Sequence, residues 1–136
     1  MNNRICLIKI NKLISHEMVS PRKLKQVRDD LMIKGYIKNP VVVDQENFII
    51  LDGHHRVAAL KQIGADKIPV YLVDYQNKNI RVTLRRKEFV FDDIKQAVIN
   101  YCLQGKIFPS KTTRHLIKNR PKNINFKIAN LFNKHL

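Results

Sequence analysis

The chain is organised around the stretch Ile49-Ile50-Leu51-Asp52-Gly53-His54-His55-Arg56, which continues into Val57-Ala58-Ala59-Leu60. Its apolar start predicts a buried strand, and the spacing of apolar residues after Gly53 predicts a helix. Glycine lets a ligand approach the backbone closely, and the first N–H groups of the helix and the positive end of its dipole point to the same place. Phosphate is the usual ligand of such a turn. The alternative is an ordinary strand-to-helix turn with solvated polar residues.

The composition describes a strongly basic chain of one domain, residues 1–136. It carries 26 Lys and Arg against 11 Asp and Glu, a formal net charge of +15. Such a surplus attracts polyanions. It fits a nucleic-acid partner, and it equally fits a phosphate-handling pocket in a basic shell.

The apolar residues also bear on location. They make up 44% of the chain, yet no run approaches the roughly 20 residues that cross a bilayer. No apolar segment with a cleavage site follows Met1, so we expect a cytoplasmic protein without a membrane partner. Cys6 and Cys102 lie in apolar segments without a C-x-x-C pair, and we expect both to be buried thiols.

Alternating and helical patterns predict a mixture of strands and helices without strict alternation, which is an α+β fold. Pro69 suggests that its strand is an edge strand or that the proline is its first residue. The apolar residues of 121–136 predict that this tail packs on the core. The predicted strands cover 5–10, 41–43, 48–51, 68–73 and 80–84, and the predicted helices begin after Ser20, Gly53 and Asp92 or Asp93 and end at Gly35, Gly64 and Gly105.

Three polar clusters lie at the ends of these elements: His16-Glu17, the stretch Asp52 to Arg56, and Thr112-Thr113-Arg114-His115. Phosphoryl transfer needs positioning, charge neutralisation and a group that receives the proton of the nucleophile. Glu17 is a candidate for that proton, and Asp52 is a candidate contact for Mg²⁺ bound mainly by phosphates. The alternatives are a surface carboxylate for Glu17, a cap for Asp52, and a capped helical turn for the third cluster.

These clusters and three further segments resemble motifs of a known protein superfamily. The segments 34–43, 51–60 and 68–75 resemble the ParB/sulfiredoxin superfamily, whose fold implies a small mixed sheet flanked by helices. Within it, His16-Glu17 and Phe108-Pro109-Ser110-Lys111-Thr112-Thr113-Arg114-His115 are similar to motifs of the free L-serine kinases of archaea and their bacterial relatives. The resemblance covers roughly residues 5 to 130.

The resemblance implies a kinase that transfers a phosphoryl group from ATP or ADP to free L-serine, giving O-phosphoserine for cysteine synthesis. Glu17 would be the general base, and Gly35 to Pro40 would lie near the nucleoside. Serine would meet His115 and Thr83, the latter in a region where those kinases carry an aromatic residue. Segment 106–136 would pack back onto the active site of a monomer or small homo-oligomer. The residues implied to hold phosphates are Gly53, His54, His55, Arg56, Thr112, Thr113 and Arg114.

Two relatives in this superfamily give rival predictions. Sulfiredoxin needs a catalytic cysteine where this chain has His54, which excludes that chemistry. A ParB-like module that binds nucleotide and associates with DNA without kinase activity fits the net charge of +15. It remains the alternative to the kinase.

Overall fold

The computed structural model describes residues 5–133 as three helices, eight strands and two short 3-10 turns. The small mixed sheet flanked by helices confirms the predicted α+β class. The strands are β1 (Ile5–Lys9), β2 (Tyr36–Ile37), β3 (Val41–Asp44), β4 (Ile50–Asp52), β5 (Lys67–Val73), β6 (Ile80–Leu84), β7 (Thr113–Ile117) and β8 (Phe126–Lys127), and the helices are α1 (Pro21–Lys34), α2 (His54–Ile63) and α3 (Ile94–Leu103).

The central sheet has the strand order β1-β5-β3-β4. β3 runs parallel to β5, and the two outer pairs are antiparallel. Successive side chains of a strand face opposite sides of the sheet. Val41 and Val43 therefore enter the core that contains Leu31 and Leu60 of α1 and α2, whereas Val42 enters a second core on the other face. Both faces are covered, and β4 ends directly at the glycine turn.

The predicted helix caps are present. The Ser20 hydroxyl accepts a hydrogen bond from the backbone N–H of Lys23 at 3.4 Å, with Pro21 as the first helical residue. The Asp93 carboxylate does the same for Gln96 at 3.1 Å and so fixes the start of α3. These caps satisfy N–H groups that a helix leaves without partners.

Two predictions about single residues were wrong. Cys6 is exposed rather than buried, because it lies on β1 at the edge of the sheet. Pro69 is the third residue of β5, which has β1 on one side and β3 on the other. The pairing with β3 begins only at Val70, opposite Val41. Pro69 therefore precedes the part of β5 that pairs with β3, where the missing N–H of a proline would remove a hydrogen bond.

The C-terminal part of the chain contributes to both the core and the site. Ile128 and Leu131 are buried in the first core, and β8 pairs with β2. The third polar cluster begins strand β7, which pairs antiparallel with β6, rather than the first turn of a helix. Among residues 5–133, no helix is long and apolar enough to span a membrane.

We expect Gly53→Ala to be strongly destabilising, by about 3 kcal/mol or more, from combined backbone strain and overpacking. Gly53 has a φ of +110°, and a Cβ there would lie 2.5 Å from Cγ1 of Val41. The matched control is Gly35→Ala, at φ +75° with open space around the added atom, for which a left-handed conformation alone costs about 1–2 kcal/mol. Urea unfolding of the two variants checks this; equal losses would contradict it.

Candidate active site

Backbone hydrogen bonds between residues 16–18 and Phe108 bring the polar clusters His16-Glu17 and Thr112 to His115 close together. The backbone N–H of Met18 donates to the Phe108 carbonyl at 2.8 Å, and the N–H of Phe108 donates to the His16 carbonyl at 2.8 Å. Phe108 is fully buried and stacks on Tyr101 with ring centroids 3.8 Å apart. This bridge fixes Glu17 beside the bend that follows Phe108.

The Glu17 carboxylate is held by the backbone of that bend. Its Oε1 accepts from the N–H of Lys111 at 3.0 Å, and its Oε2 accepts from the N–H of Thr113 at 2.8 Å and from the Thr113 hydroxyl. Burial alone would raise the pKa of Glu17, but the contact with His16 and the hydrogen bonds from Thr113 outweigh it and lower the pKa to about 2. Glu17 is therefore a firmly ionised hydrogen-bond acceptor.

The start of α2 faces the same space as Glu17. Gly53, in the left-handed conformation, precedes the helix, and within residues 5–133 no side chain caps it. The first intrahelical bond is donated by Val57 to the Gly53 carbonyl at 3.0 Å. The N–H groups of His54, His55 and Arg56 thus stand at the positive end of the helix dipole, as in an anion site.

The two adjacent histidines of this turn have different environments. Nε2 of His54 accepts from the backbone N–H of His16 at 3.2 Å, and Nε2 of His55 accepts from the N–H of Ser20 at 3.0 Å. Desolvation and the nearby His16 lower the pKa of His54 to about 3. Desolvation lowers the pKa of the more open His55 as well. Both rings tie the start of α2 to the segment before α1.

His115 lies beneath the site rather than at its surface. It is buried, and its Nε2 is 2.8 Å from the Tyr75 hydroxyl. Burial lowers the pKa of His115 to about 3 and raises the pKa of Tyr75, so both are neutral near pH 7. The rings of His54 and His115 lie 4.6 and 5.4 Å from that of His16. Sequence reasoning did not single out Tyr75.

Asp52 is shared by two arginines at the mouth of the turn. Its Oδ2 lies 3.5 Å from Nη2 of Arg56 and 2.6 Å from Nη2 of Arg120. Nη1 of Arg56 also donates to the carbonyls of Asn39 at 2.7 Å and Pro40 at 3.2 Å. Arg56 therefore also holds the loop before β3. Arg120, which the sequence analysis did not single out, donates to Asp52.

These groups surround one open cavity of about 830 Å³. Glu17, the start of α2, the segment 36–39 and β7 all contribute to its wall. Cations outnumber carboxylates in the lining, which suits an anionic ligand. The cationic lining residues are Lys23, Lys34, Lys38, Arg56, Arg85, Lys111, Arg114 and Arg120, and the carboxylates are Glu17, Asp30 and Asp52.

The structure brings most, but not all, of the predicted residues to this cavity. Gly53, His54, His55, Arg56, Thr113, Arg114, His115, Glu17 and Asp52 line it. The Thr112 hydroxyl instead donates to the Pro109 carbonyl at 2.7 Å, and the residue is fully buried. Thr83 is exposed on β6, opposite Arg114, and is not part of the lining.

The fold and the cavity define a class of mixed-sheet domains in which a glycine turn opens onto a cation-lined cavity. A family model described as the ParB N-terminal domain matches residues 2–86. The chain belongs to this family, and the match includes Glu17 and the whole glycine turn.

Named relatives share this part of the chain. An ATP-dependent L-serine kinase of Staphylothermus marinus is 32% identical over 80 residues, which are 56% of this chain and 32% of that protein. The chain thus spans about a third of the length of the curated relatives it matches. An ATP-dependent L-serine kinase of Staphylococcus aureus, SbnI, is 26% identical over 73 residues, 52% of this chain and 29% of that protein.

Solved structures extend the likeness to the rest of the fold. A mutant free serine kinase in complex with AMP superposes with a TM-score of 0.85, over 94% of this chain and 93% of that chain, at 16% identity. At that identity the likeness concerns the fold alone.

Proposed function

We propose that this chain is a kinase that transfers a phosphoryl group from ATP or ADP to the hydroxyl of free L-serine, giving O-phosphoserine. The observation that carries the proposal is the convergence of Glu17, the start of α2 and the bend 111–115 on one cation-lined cavity. The relatives named L-serine kinases support serine as the acceptor. The proposal treats residues 1–136 as one domain, and it implies a compartment that holds nucleotide and free serine, which is the cytoplasm.

In this proposal the backbone N–H groups at the start of α2 bind the nucleotide phosphates, and Arg114 and Arg120 add positive charge. The segment 36–39, on the same wall, contacts the nucleoside. Since the cradle is made of backbone, it offers the same groups to ATP and ADP. Thr112 and Thr83 have no direct part, because neither lies at the cavity.

Glu17 orients the serine hydroxyl and accepts its hydrogen bond. Phosphoryl transfer passes through a loose transition state in which positioning and charge stabilisation matter most. A strongly ionised carboxylate, with a pKa of about 2, is suited to orienting the hydroxyl. The hydroxyl oxygen attacks the terminal phosphorus as its proton passes to Glu17, the bond to the bridging oxygen breaks, and the shortened nucleotide leaves with that electron pair.

Mg²⁺ fits this site through Asp52. Both ion pairs of Asp52 use Oδ2, and a carboxylate oxygen together with nucleotide phosphates is a ligand set that Mg²⁺ accepts. Bound there, the ion supplies charge neutralisation for the phosphates. Among residues 5–133 there is no group of three or more His, Cys, Asp or Glu side chains arranged to hold a metal ion by themselves.

The direct test incubates the protein with L-serine and Mg²⁺, with ATP in one reaction and ADP in another, and measures O-phosphoserine by mass spectrometry. We expect product with at least one donor, and none with L-alanine, which lacks the hydroxyl. Absence of product with both donors would overturn the proposal.

We expect Arg120→Gln to weaken nucleotide binding by roughly tenfold, the effect of losing one charge-assisted contact. The affinity should also fall less steeply with salt than in the unchanged protein. Arg81→Gln, an exposed residue of β6 outside the cavity, is the matched control. Titration of a fluorescent nucleotide checks both, and equal affinities for the two variants would contradict the role of Arg120.

A ParB-like nucleotide-binding module associated with DNA is the second candidate. It is favoured by the net charge of +15 and by a relative named ParB-like protein from Sulfolobus acidocaldarius, 33% identical over 76 residues. A gel shift with specific and random duplexes at physiological salt tests it. If the protein binds both duplexes equally and added salt abolishes the binding, the net positive charge alone explains it and the second candidate is not supported.

A further inference from the structure

His16 lies directly beneath Glu17 and cannot touch a substrate, because it is fully buried. Its Nδ1 is 2.8 Å from the Ile50 carbonyl, and its Nε2 is 2.9 Å from the Thr113 hydroxyl. Nε2 is also 3.5 Å from Oε2 of Glu17. Thr113 therefore lies between the carboxylate and the imidazole.

The contacts that join Glu17, Thr113 and His16 need one more proton than a neutral imidazole and an ionised carboxylate supply. A carbonyl only accepts, so Nδ1 of His16 carries a proton, and a neutral imidazole then has none on Nε2. The Thr113 hydroxyl has one proton but faces two acceptors, Nε2 of His16 and Oε2 of Glu17. With a neutral imidazole and an ionised carboxylate, one of these two contacts has no hydrogen.

We propose that the row Glu17–Thr113–His16 takes up the proton that the acceptor hydroxyl loses during phosphoryl transfer, with His16 as a positioning residue that acts through Thr113. The inference rests on the proposed function and adds the destination of the proton. The hydroxyl proton passes to Glu17, a proton passes from Glu17 to the Thr113 oxygen, and the Thr113 proton passes to Nε2 of His16. Both contacts of Thr113 then contain a hydrogen.

The groups around His16 are compatible with the positive charge that the relay places on its ring. From α2 it faces His54, from β7 it faces His115, and from the segment before β6 the Tyr75 hydroxyl stands behind His115. Burial keeps both of these histidines neutral, since it lowers the pKa of each to about 3. The carboxylate of Glu17 is the charge in direct contact. After product release the proton returns to water along the same row, through the open cavity.

The row explains how a carboxylate with so low a proton affinity serves as a base. Although burial raises the pKa of Glu17, the hydrogen bonds that Thr113 donates lower it and make protonated Glu17 short-lived. A second acceptor within hydrogen-bond distance removes that disadvantage, because the proton need not remain on the carboxylate.

The first arm of the test compares Thr113→Val with Thr113→Ser. Both keep the backbone N–H that binds Glu17, but only serine keeps the hydroxyl. We expect Thr113→Val to lower kcat by about 100-fold, with KM for serine and Kd for nucleotide within about threefold, whereas Thr113→Ser restores kcat to within about threefold. Equal kcat values for the two variants would overturn the relay.

The second arm uses His16→Gln, which keeps a donor near Thr113 but cannot take up a proton. We expect this variant to lose kcat by about as much as Thr113→Val, and the double variant to lose no more than either single one, because both changes interrupt the same row. Losses that multiply in the double variant would overturn the relay while leaving the kinase proposal intact.

The third arm needs no activity. Nitrogen-15 NMR of His16 in the ligand-free protein at pH 7.5 should show a proton on Nδ1 and none on Nε2. A doubly protonated ring would overturn the relay whatever the enzyme assay shows. Absence of O-phosphoserine from the unchanged protein, with the NMR result as expected, would instead contradict the proposed function.

Discussion

Glu17→Gln should lower turnover by roughly 10²–10⁴-fold while nucleotide affinity stays within a few-fold, because a neutral amide orients a hydroxyl but does not accept its proton. The carboxylate accepts from the backbone N–H groups of Lys111 and Thr113 through separate oxygens, and the single amide oxygen still accepts from one of them. The start of α2, the proposed phosphate cradle, makes neither of these bonds and should persist. Initial rates of O-phosphoserine formation and titration of a fluorescent nucleotide give the two quantities.

The matched control for this prediction is Glu46→Gln, an exposed carboxylate in the turn between β3 and β4. It should leave both rate and affinity unchanged. If Glu17→Gln abolished nucleotide binding instead of turnover, Glu17 would belong to the nucleotide pocket and not to the reacting centre.

Acid should destabilise this protein at a mildly acidic pH, because the half-buried His54 and the buried His115 must become charged. Burial lowers the pKa of His54 and of His115 from 6.5 to about 3. Between these values the unfolded chain binds more protons than the folded one, so stability is full above about pH 6.5 and is lost as the pH falls. Two such groups set an upper limit of about 3 kcal/mol per pH unit on the slope of this loss.

Glu17 adds to this loss in a lower pH range. Its pKa falls from 4.5 to about 2 on folding. Its contribution is therefore present above about pH 4.5 and is lost as the pH falls toward 2. Together with the histidines, it predicts a stability curve that declines throughout the acidic range.

Urea unfolding at pH 7.5, 6, 5 and 4.5 measures this slope. The variant His115→Gln, which keeps an acceptor for the Tyr75 hydroxyl, should reduce the slope by about half. The matched control is His55→Gln, since His55 is less buried, and it should change the slope less. A free energy of unfolding that stays constant from pH 7.5 to pH 4.5 would contradict the prediction.

Local patterns in the sequence were sufficient for the elements that satisfy their own hydrogen bonds. Ser20, Pro21 and Gly35 mark α1 because capping and chain reversal depend on neighbouring residues. The same holds for Gly53, whose place between a buried strand and a helix is read from a few residues on either side. The helix start after Gly53, which we propose as an anion site, follows from that local geometry.

Pairing between distant segments was harder to predict. Strands β2 and β8 contain two residues each and join residue 36 to residue 127, which no local periodicity indicates. Pro69 was misjudged because the pairing of β5 with β3 begins one residue later. Exposure of Cys6 likewise depends on which strand lies at the edge of the sheet.

The same limit applies to the site. The sequence indicated Glu17 and Thr113 separately, but the carboxylate is fixed by bonds to residues more than ninety positions away. Arg120 and Tyr75 contact partners, Asp52 and His115, that lie 68 and 40 positions away. An isolated arginine or tyrosine in a basic chain has no local signal that sets it apart.

The hydrogen bond between Glu17 and the backbone of Thr113 joins residues 96 positions apart. During synthesis on a ribosome, the glycine turn therefore emerges well before the bend that fixes the carboxylate. A nascent chain can expose a phosphate cradle but has no oriented carboxylate until the later segment has joined the fold. Because closing so long a loop is slow, we expect the Glu17 carboxylate to become oriented as one of the last events of folding, after most of the central sheet has formed.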